Sequence, residues 1–330
     1  MKYNIKIVSI ILAMFLITQL VGLYVVNYYS PVKIVNNVQE NVTNPNKLPP
    51  WLEPPSEIDA LTVPEILLQI IPAFIIAISI FFVLTKFRAE FVLKAWFFLV
   101  VTIALSTSIV SFTRSQELVF VIIALVIAAL LAFFKIYRHN ILIHNLTELL
   151  IYPGIGAVFV ALLSSVGNPN RGIYAIIALL ILISLYDMWA VWHSGIMQKM
   201  AKYQVNKLKI FGGFFVPYIS KQLRMKLQKM KKSEKKGKKI KVNIALLGGG
   251  DVVFPLITAG IVLRKFGFMT VLGLQLPVAS LLIILGAMLG LSYLLFFSQK
   301  KKFYPAMPFI SAGIFLALGL CYLLRHFSII

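Results

Sequence analysis

The stretch IALLGGGDVVFPLI, residues Ile244–Ile257, places a single carboxylate, Asp251, inside an apolar run. Three consecutive glycines, which weaken a helix, stand immediately before it. A carboxylate is costly to bury in hydrocarbon, so residues of this kind are rare within membrane spans and usually functional. What the stretch does therefore depends on whether it lies in a membrane and whether the chain supplies a partner for Asp251.

The whole chain has the composition of a polytopic membrane protein. Of its 330 residues, 60% are hydrophobic and 13% are charged, whereas soluble domains are about half apolar and a quarter charged. A spanning helix needs about 20 mainly apolar residues, and backbone in lipid must pair its own polar groups. The predicted fold is therefore an all-α bundle of nine transmembrane helices. The predicted spans are 5–27, 63–85, 91–112, 118–136, 141–165, 173–197, 242–262, 269–297 and 303–324.

Basic residues orient these spans. The net charge is +21, which in a soluble protein would suggest nucleic acid as a partner. In a membrane protein it follows from the enrichment of Lys and Arg in cytoplasmic loops, so no nucleic acid is expected. With the N-terminus in the cytoplasm, 25 of the 32 Lys and Arg residues lie on the inner side. Nine spans then place the C-terminus outside.

The chain divides into three parts on this topology. Residues 1–197 hold spans one to six, with an outer loop at 28–62, and residues 242–330 hold spans seven to nine. Between them, 198–241 form a basic cytoplasmic loop that ends in KMKKSEKKGKKIK. An apolar part of this loop, IFGGFFVPYI at 210–219, is expected to lie on the membrane or dock on the helices. GAMLG at 286–290 is typical of close helix packing inside the protein rather than of a dimer contact.

Only two of the eleven acidic residues, Asp187 and Asp251, fall well inside a predicted span. Asp187 lies ten residues before the inner end of span six, and Asp251 lies nine residues after the inner start of span seven. At roughly 1.5 Å per helical residue, each lies about 14–15 Å from the inner boundary. Glu148 follows His144 by four residues on one helix face, and we expect this pair to mark the inner membrane boundary.

Two carboxylates at the same depth can share a proton and titrate as a unit. In an aspartic protease, one carboxylate takes a proton from water while the other, protonated, polarises the scissile carbonyl. A proton- or cation-coupled transporter or channel would also place acids inside the membrane. The two acids alone leave both functions open.

Three short motifs add to the two acids. Asp187 directly follows Tyr186, and Gly248-Gly249-Gly250-Asp251 forms a G-x-G-D pattern. Tyr304–Ile310, YPAMPFI, stands at the inner start of span nine. Because proline has no backbone N–H, this segment should leave nearby backbone groups free of the helix, available to an extended peptide.

In this order and on these spans, the motifs resemble those of the presenilin and signal peptide peptidase family, the GxGD intramembrane aspartyl proteases. The family's YD, GxGD and PAL motifs correspond here to Tyr186-Asp187, Gly248-Gly249-Gly250-Asp251 and Pro305-Ala306-Met307-Pro308. Met307 stands where the family usually has Leu, a residue of similar volume. The resemblance implies that Asp187 and Asp251 are the catalytic pair and that the other motif residues shape the site.

The resemblance also implies transmembrane helices of other proteins as substrates, membrane lipid as surroundings, and no metal or organic cofactor. The short loops are typical of a prokaryotic, archaeal homologue, which would lie in the cell membrane. A rival enzyme, the prepilin-type signal peptidase, also uses a GxGD aspartate but cuts near the membrane surface. The sequence leaves open the substrates, the cleavage position, self-cleavage within 198–241, partner subunits and the oligomeric state.

Overall fold

The fold is described from a computed structural model of the chain. It covers residues 5–30, 32–35, 38–41, 47–49, 52–54, 61–87, 89–138, 140–164, 169–194, 212–218, 243–271, 273–298 and 304–327. Most of the predicted basic loop, 198–241, lies outside these residues, and structural statements below refer to the described ranges.

Nine helices run through the described residues. They are α1 (Ile5–Tyr28), α2 (Val63–Lys86), α3 (Glu90–Thr113), α4 (Leu118–Tyr137), α5 (Ile141–Leu163), α6 (Pro169–Trp189), α7 (Gly250–Phe266), α8 (Val278–Phe297) and α9 (Met307–His326). A π-helical turn, Ala190–Ser194, continues α6.

Three antiparallel hairpins connect some of the helices. They pair β1 (Val32–Val35) with β2 (Val38–Asn41), β3 (Gly213–Tyr218) with β4 (Asn243–Gly248), and β5 (Met269–Val271) with β6 (Leu274–Leu276). In the second hairpin, Gly213 lies opposite Gly248. The apolar segment of the basic loop therefore forms a strand, which contacts α5.

Seven of the described helices are long and apolar enough to cross a membrane. They are α1, α3, α4, α5, α6 with its π-helical turn, α8 and α9. The helix α7 has 17 residues, and within α2 the apolar stretch Val63–Ala77 is also shorter than a usual span. A multi-pass membrane protein is confirmed, and the count of nine spans stays a prediction.

The helix α7 lies at the centre of the bundle. It contacts α1, α5, α6, α8 and α9, and from Pro255 to Leu263 every side chain is buried. A helix that is apolar on all sides is stable when other elements or lipid surround it, and here other helices surround α7. Its central position brings the residues at its start next to several other helices.

The predicted start of span seven at residue 242 is wrong. Residues 243–248 form β4, and α7 begins only at Gly250. The physical reason is the run of three glycines, which have low helix propensity and allow the chain to pass directly from strand to helix. The predicted start of span eight at residue 269 is also wrong, because 269–271 and 274–276 form β5 and β6 and α8 begins only after Pro277.

The predicted close packing of GAMLG is present between α8 and α9. A Cβ atom added to Gly286 would lie 2.4 Å from the carbonyl oxygen of Gly313, and one added to Gly290 would lie 2.2 Å from that of Phe309. The two backbones therefore touch directly. This contact fixes the position of α9, whose first residues belong to the candidate site.

Candidate active site

Asp251 lies in the first turn of α7, directly after the β3–β4 hairpin. The Gly248 amide N–H interacts with its carboxylate, and the Gly249 amide donates to the carbonyl oxygen of Gly212 at 3.1 Å. The first bond orients the carboxylate, and the second ties the glycine turn to the residue preceding β3.

The middle glycine of the motif is the one most tightly enclosed by other parts of the chain. A Cβ atom added to Gly249 would lie 2.9 Å from the Tyr152 hydroxyl and 3.3 Å from the Gly212 carbonyl oxygen. At Gly248 the nearest atom, at 3.1 Å, is an oxygen of Asp251 itself. Side chains at these two positions would therefore displace the carboxylate or the turn that carries it.

Asp187 lies two residues before the end of α6 and is only 4% exposed. The α-helix gives way to the π-helical turn three residues after Asp187, and 195–197 of the predicted span lie outside the described residues. Turns of π-helix are frequent at functional sites in proteins. The side chain is turned toward the start of α9.

The proline motif supplies a backbone donor to Asp187. The Met307 amide donates to Asp187 Oδ2 at 3.0 Å, and the Ala306 amide also interacts with this carboxylate. Met307 and Pro308 are the first two residues of α9, where amides have no partner within the helix. A second link between the helices joins the Ser184 and Ser311 hydroxyls at 3.0 Å.

The two carboxylates interact with each other through space: the charge of Asp187 acts on Asp251. The helices that carry them, α6 and α7, are in contact, and α9 contacts both. Three segments far apart in sequence therefore meet at one place. The depth predicted for Asp251 assumed six helical residues that are a strand. The pairing of the two acids as a catalytic unit stays a prediction.

Comparison with known proteins shows the family to which the chain belongs. Residues 54–324 match the family model described as signal-peptide peptidase, presenilin aspartyl protease. The chain belongs to this family of aspartyl proteases. The predicted resemblance is thereby confirmed over most of the chain.

The chain resembles two solved structures of a presenilin family intramembrane aspartate protease. The one in space group C222 has a TM-score of 0.54 and 16% sequence identity, and 94% of each chain is covered. The one in space group P2 has a TM-score of 0.56 and 15% identity, with coverage of 95% of this chain and 96% of the other. At this identity the likeness shows the fold. No curated protein sequence matches the chain.

Two of the motif residues, Tyr186 and Gly250, are exposed in the described structure. Tyr186 is 44% exposed, and its ring lies 6.3 Å from that of Trp189. A Cβ atom on Gly250 would make only ordinary contacts, with the Phe254 ring at 3.7 Å. The amides of Ala306 and Met307 do contact Asp187, and Pro305 and Met307 are buried.

Sequence reasoning missed two polar side chains next to the Asp251 turn. Gln19 of α1 is fully buried and donates to the Val252 carbonyl oxygen at 2.9 Å. Tyr152 of α5 places its hydroxyl beside Gly249. An amide in the middle of a 24-residue apolar helix was the available signal for Gln19; a tyrosine among apolar residues gives no comparable signal.

Replacing Met307 by leucine tests the departure from the family motif. Because the bond to Asp187 comes from the backbone amide, Met307→Leu should keep proteolytic activity within about threefold and cost less than about 1.5 kcal/mol of stability. Met307→Ala leaves a cavity in a buried position, so it should cost about 2–5 kcal/mol. Thermal unfolding in detergent and cleavage rates of the two variants, measured side by side, check both statements. A leucine variant as damaged as the alanine variant would contradict the backbone role.

Proposed function

We propose that this protein hydrolyses peptide bonds within transmembrane helices of other proteins, by water activated between Asp187 and Asp251. One observation carries the proposal: an amide of the proline motif binds Asp187 at 3.0 Å while Asp187 and Asp251 interact. A carboxylate pair that only carried a proton or cation would not need a third segment with irregular backbone beside it.

The chemistry follows from a pair of carboxylates that together hold one proton. The ionised carboxylate takes a proton from water as the water oxygen bonds to the scissile carbonyl carbon, while the protonated carboxyl donates its proton to the carbonyl oxygen. In the resulting tetrahedral diol, the carbon–nitrogen bond breaks as the nitrogen takes a proton and a hydroxyl proton returns to the pair. The products are a carboxylic acid and an amine, and the pair again holds one proton.

A substrate must be unwound for this reaction, because a helix covers its own peptide bonds. The strand β4 offers an edge for an extended chain. Side chains of α5 bind the backbone groups of Gly213 and Phe215 in β3. The backbone groups of the residues between and after them, Phe214 and Val216, therefore face β4. In β4, the backbone of Leu246 then faces away from β3, and its side chain is 42% exposed. An extended substrate segment added at this edge would lead toward Asp251.

We propose nine spans with the N-terminus in the cytoplasm and the C-terminus outside, in the cell membrane of a prokaryote. The basic loop between α6 and α7 supports this orientation, since it holds fifteen of the 32 Lys and Arg residues. Although the 17 residues of α7 are fewer than a usual span, β4 and the glycine turn precede α7 in the chain and would complete the passage across the membrane.

The test is incubation of the purified protein, in detergent and in lipid vesicles, with a single-span membrane protein, followed by mass spectrometry. The proposal expects two complementary products whose new ends lie within the apolar segment. Intact substrate under all conditions, together with cation flux that depends on Asp251, would contradict it in favour of a transporter.

A further inference from the structure

A buried charged cluster joins the inner ends of α4 and α5. The Lys135 ammonium donates to Glu148 Oε1 at 2.6 Å and to His144 Nδ1 at 3.3 Å. The Lys135 and Glu148 side chains are each 2% exposed. The position of His144 and Glu148 at the inner membrane boundary stays a prediction. Burying an ion pair is favourable only when further hydrogen bonds satisfy its atoms. The cluster should therefore make hydrogen bonds to other parts of the chain.

Those further contacts go to the backbone of β3. His144 Nε2 donates to the Gly213 carbonyl oxygen at 2.8 Å, and Glu148 Oε1 accepts from the Gly213 amide at 3.3 Å. Since His144 Nδ1 accepts from Lys135, a neutral ring with its proton on Nε2 satisfies both of its bonds.

Asn145, on the same helix, binds the next outward-facing residue of β3. Its amide nitrogen donates to the Phe215 carbonyl oxygen at 2.8 Å, and its amide oxygen accepts from the Phe215 amide at 2.9 Å. Side chains of α5 thus bind the edge of β3 that faces away from β4, much as a third strand would.

Two sets of contacts connect β3 to the turn that carries Asp251. The first set lies in the backbone of the β3–β4 pair, where Gly213 lies opposite Gly248 and the Gly212 carbonyl accepts from the Gly249 amide. The second set consists of side chains: Tyr152, one helical turn after Glu148, packs edge-on against Phe214 of β3, with ring centroids 5.6 Å apart.

The Tyr152 hydroxyl reaches the glycine turn itself. It lies beside Gly249 and is close enough to Glu148 and Asp251 to interact electrostatically with both. It forms no hydrogen bond of regular geometry with any described residue. The charged cluster, β3 and the turn that carries Asp251 are therefore one connected unit.

We propose that His144, Asn145 and Glu148, the last held by Lys135, are positioning residues for Asp251. They fix β3 against α5, and β3 fixes the Gly248–Gly250 turn and with it the direction of the Asp251 carboxylate. This rests on the proposed function of Asp251. A cluster that served only to stabilise the bundle would affect unfolding but would leave the turnover of the folded protein unchanged.

Asn145→Leu tests the proposal without leaving a buried charge. Asn140→Leu is the matched control, because Asn140 caps the start of the same helix, with its side chain accepting from the Leu142 amide, and does not contact β3 in the described structure. In Asn145→Leu we expect hydrogen exchange of the amides in 212–218 and 243–250 to accelerate at least tenfold. We expect kcat of the folded variant to fall at least tenfold, because the Asp251 carboxylate loses its fixed direction in the enzyme–substrate complex. Asn140→Leu should change neither quantity more than twofold.

A second pair of variants covers the case in which Asn145→Leu does not fold. Lys135→Met/Glu148→Gln and Lys135→Met/Glu148→Leu both remove the two charges, but only glutamine keeps an acceptor for the Gly213 amide. The glutamine pair should retain kcat at least fivefold above the leucine pair at equal unfolding temperature. Equal kcat values in the two pairs, or unchanged exchange in Asn145→Leu, would overturn the positioning role.

The exchange readout separates this proposal from the proposed function. Faster exchange in Asn145→Leu, in a protein whose wild type cleaves no substrate, would overturn the assignment of proteolysis while supporting the docking of β3 by α5. Faster exchange with kcat unchanged, in a protein that does cleave, would overturn the link from β3 to Asp251 alone.

Discussion

Asp251→Asn is expected to lower the rate of substrate cleavage at least a hundredfold, and by up to about 10⁴-fold, while the protein still folds. Asparagine has the shape of aspartate but cannot exchange a proton with water or with a scissile carbonyl, and general acid–base catalysis contributes about 10²–10⁴ in rate. Asp187→Asn should have a similar effect. Because the two acids act as a unit, the double variant should lose little more than either single one.

The control for these variants is Glu117→Gln, which removes an exposed carboxylate at the start of α4. Its cleavage rate should match that of the wild type within about twofold. Purification by size exclusion and the unfolding temperature establish that each variant is folded. A folded Asp251→Asn variant with full activity would contradict the assignment of Asp251.

Gly313→Ala is expected to separate α8 from α9. The added Cβ atom would lie 2.1 Å from the carbonyl oxygen of Gly286, a distance that neither rigid backbone can accept. Overpacking of this kind costs about 1–3 kcal/mol, and occasionally more. Since α9 begins with the amide that binds Asp187, its displacement should also lower kcat. Thermal unfolding and cleavage rates measure the two effects.

Gly319→Ala on the same helix is the matched control. A Cβ atom at Gly319 would meet nothing within 4 Å in the described structure, and alanine is favoured over glycine in a helix by about 0.5–1 kcal/mol. This variant should therefore unfold at the same or a slightly higher temperature and keep full activity. Equal stability of the two alanine variants would show that α8 and α9 are not in backbone contact.

The sequence alone predicts the features of the candidate site that depend on local composition. Asp187 and Asp251 stand out because a carboxylate in an apolar run is rare, and the prolines around Met307 mark irregular backbone at a helix start. The family resemblance of these motifs is confirmed by the match over residues 54–324. The catalytic roles of the residues remain predictions.

The features that the sequence did not predict depend on contacts across the fold. The segment 243–248 reads as part of a spanning helix because it is apolar, and only pairing with 213–218 makes it a strand. Lys135 lies near the end of a predicted span and resembles any other inner basic residue, yet its partner is Glu148 of the next helix. Such pairings follow from the packing of α4 against α5, which hydrophobic periodicity does not specify.

The binding of a peptide isostere with a hydroxyl in place of the scissile carbonyl tests the central claim most directly. Such a group occupies the position of the tetrahedral intermediate between the two carboxylates, and analogues of this kind bind 10²–10⁸-fold more tightly than substrates. We predict tight binding to the wild type and to Glu117→Gln, and a loss of at least a hundredfold in affinity in both Asp187→Asn and Asp251→Asn. Equal affinity for the wild type and the two aspartate variants would contradict the account.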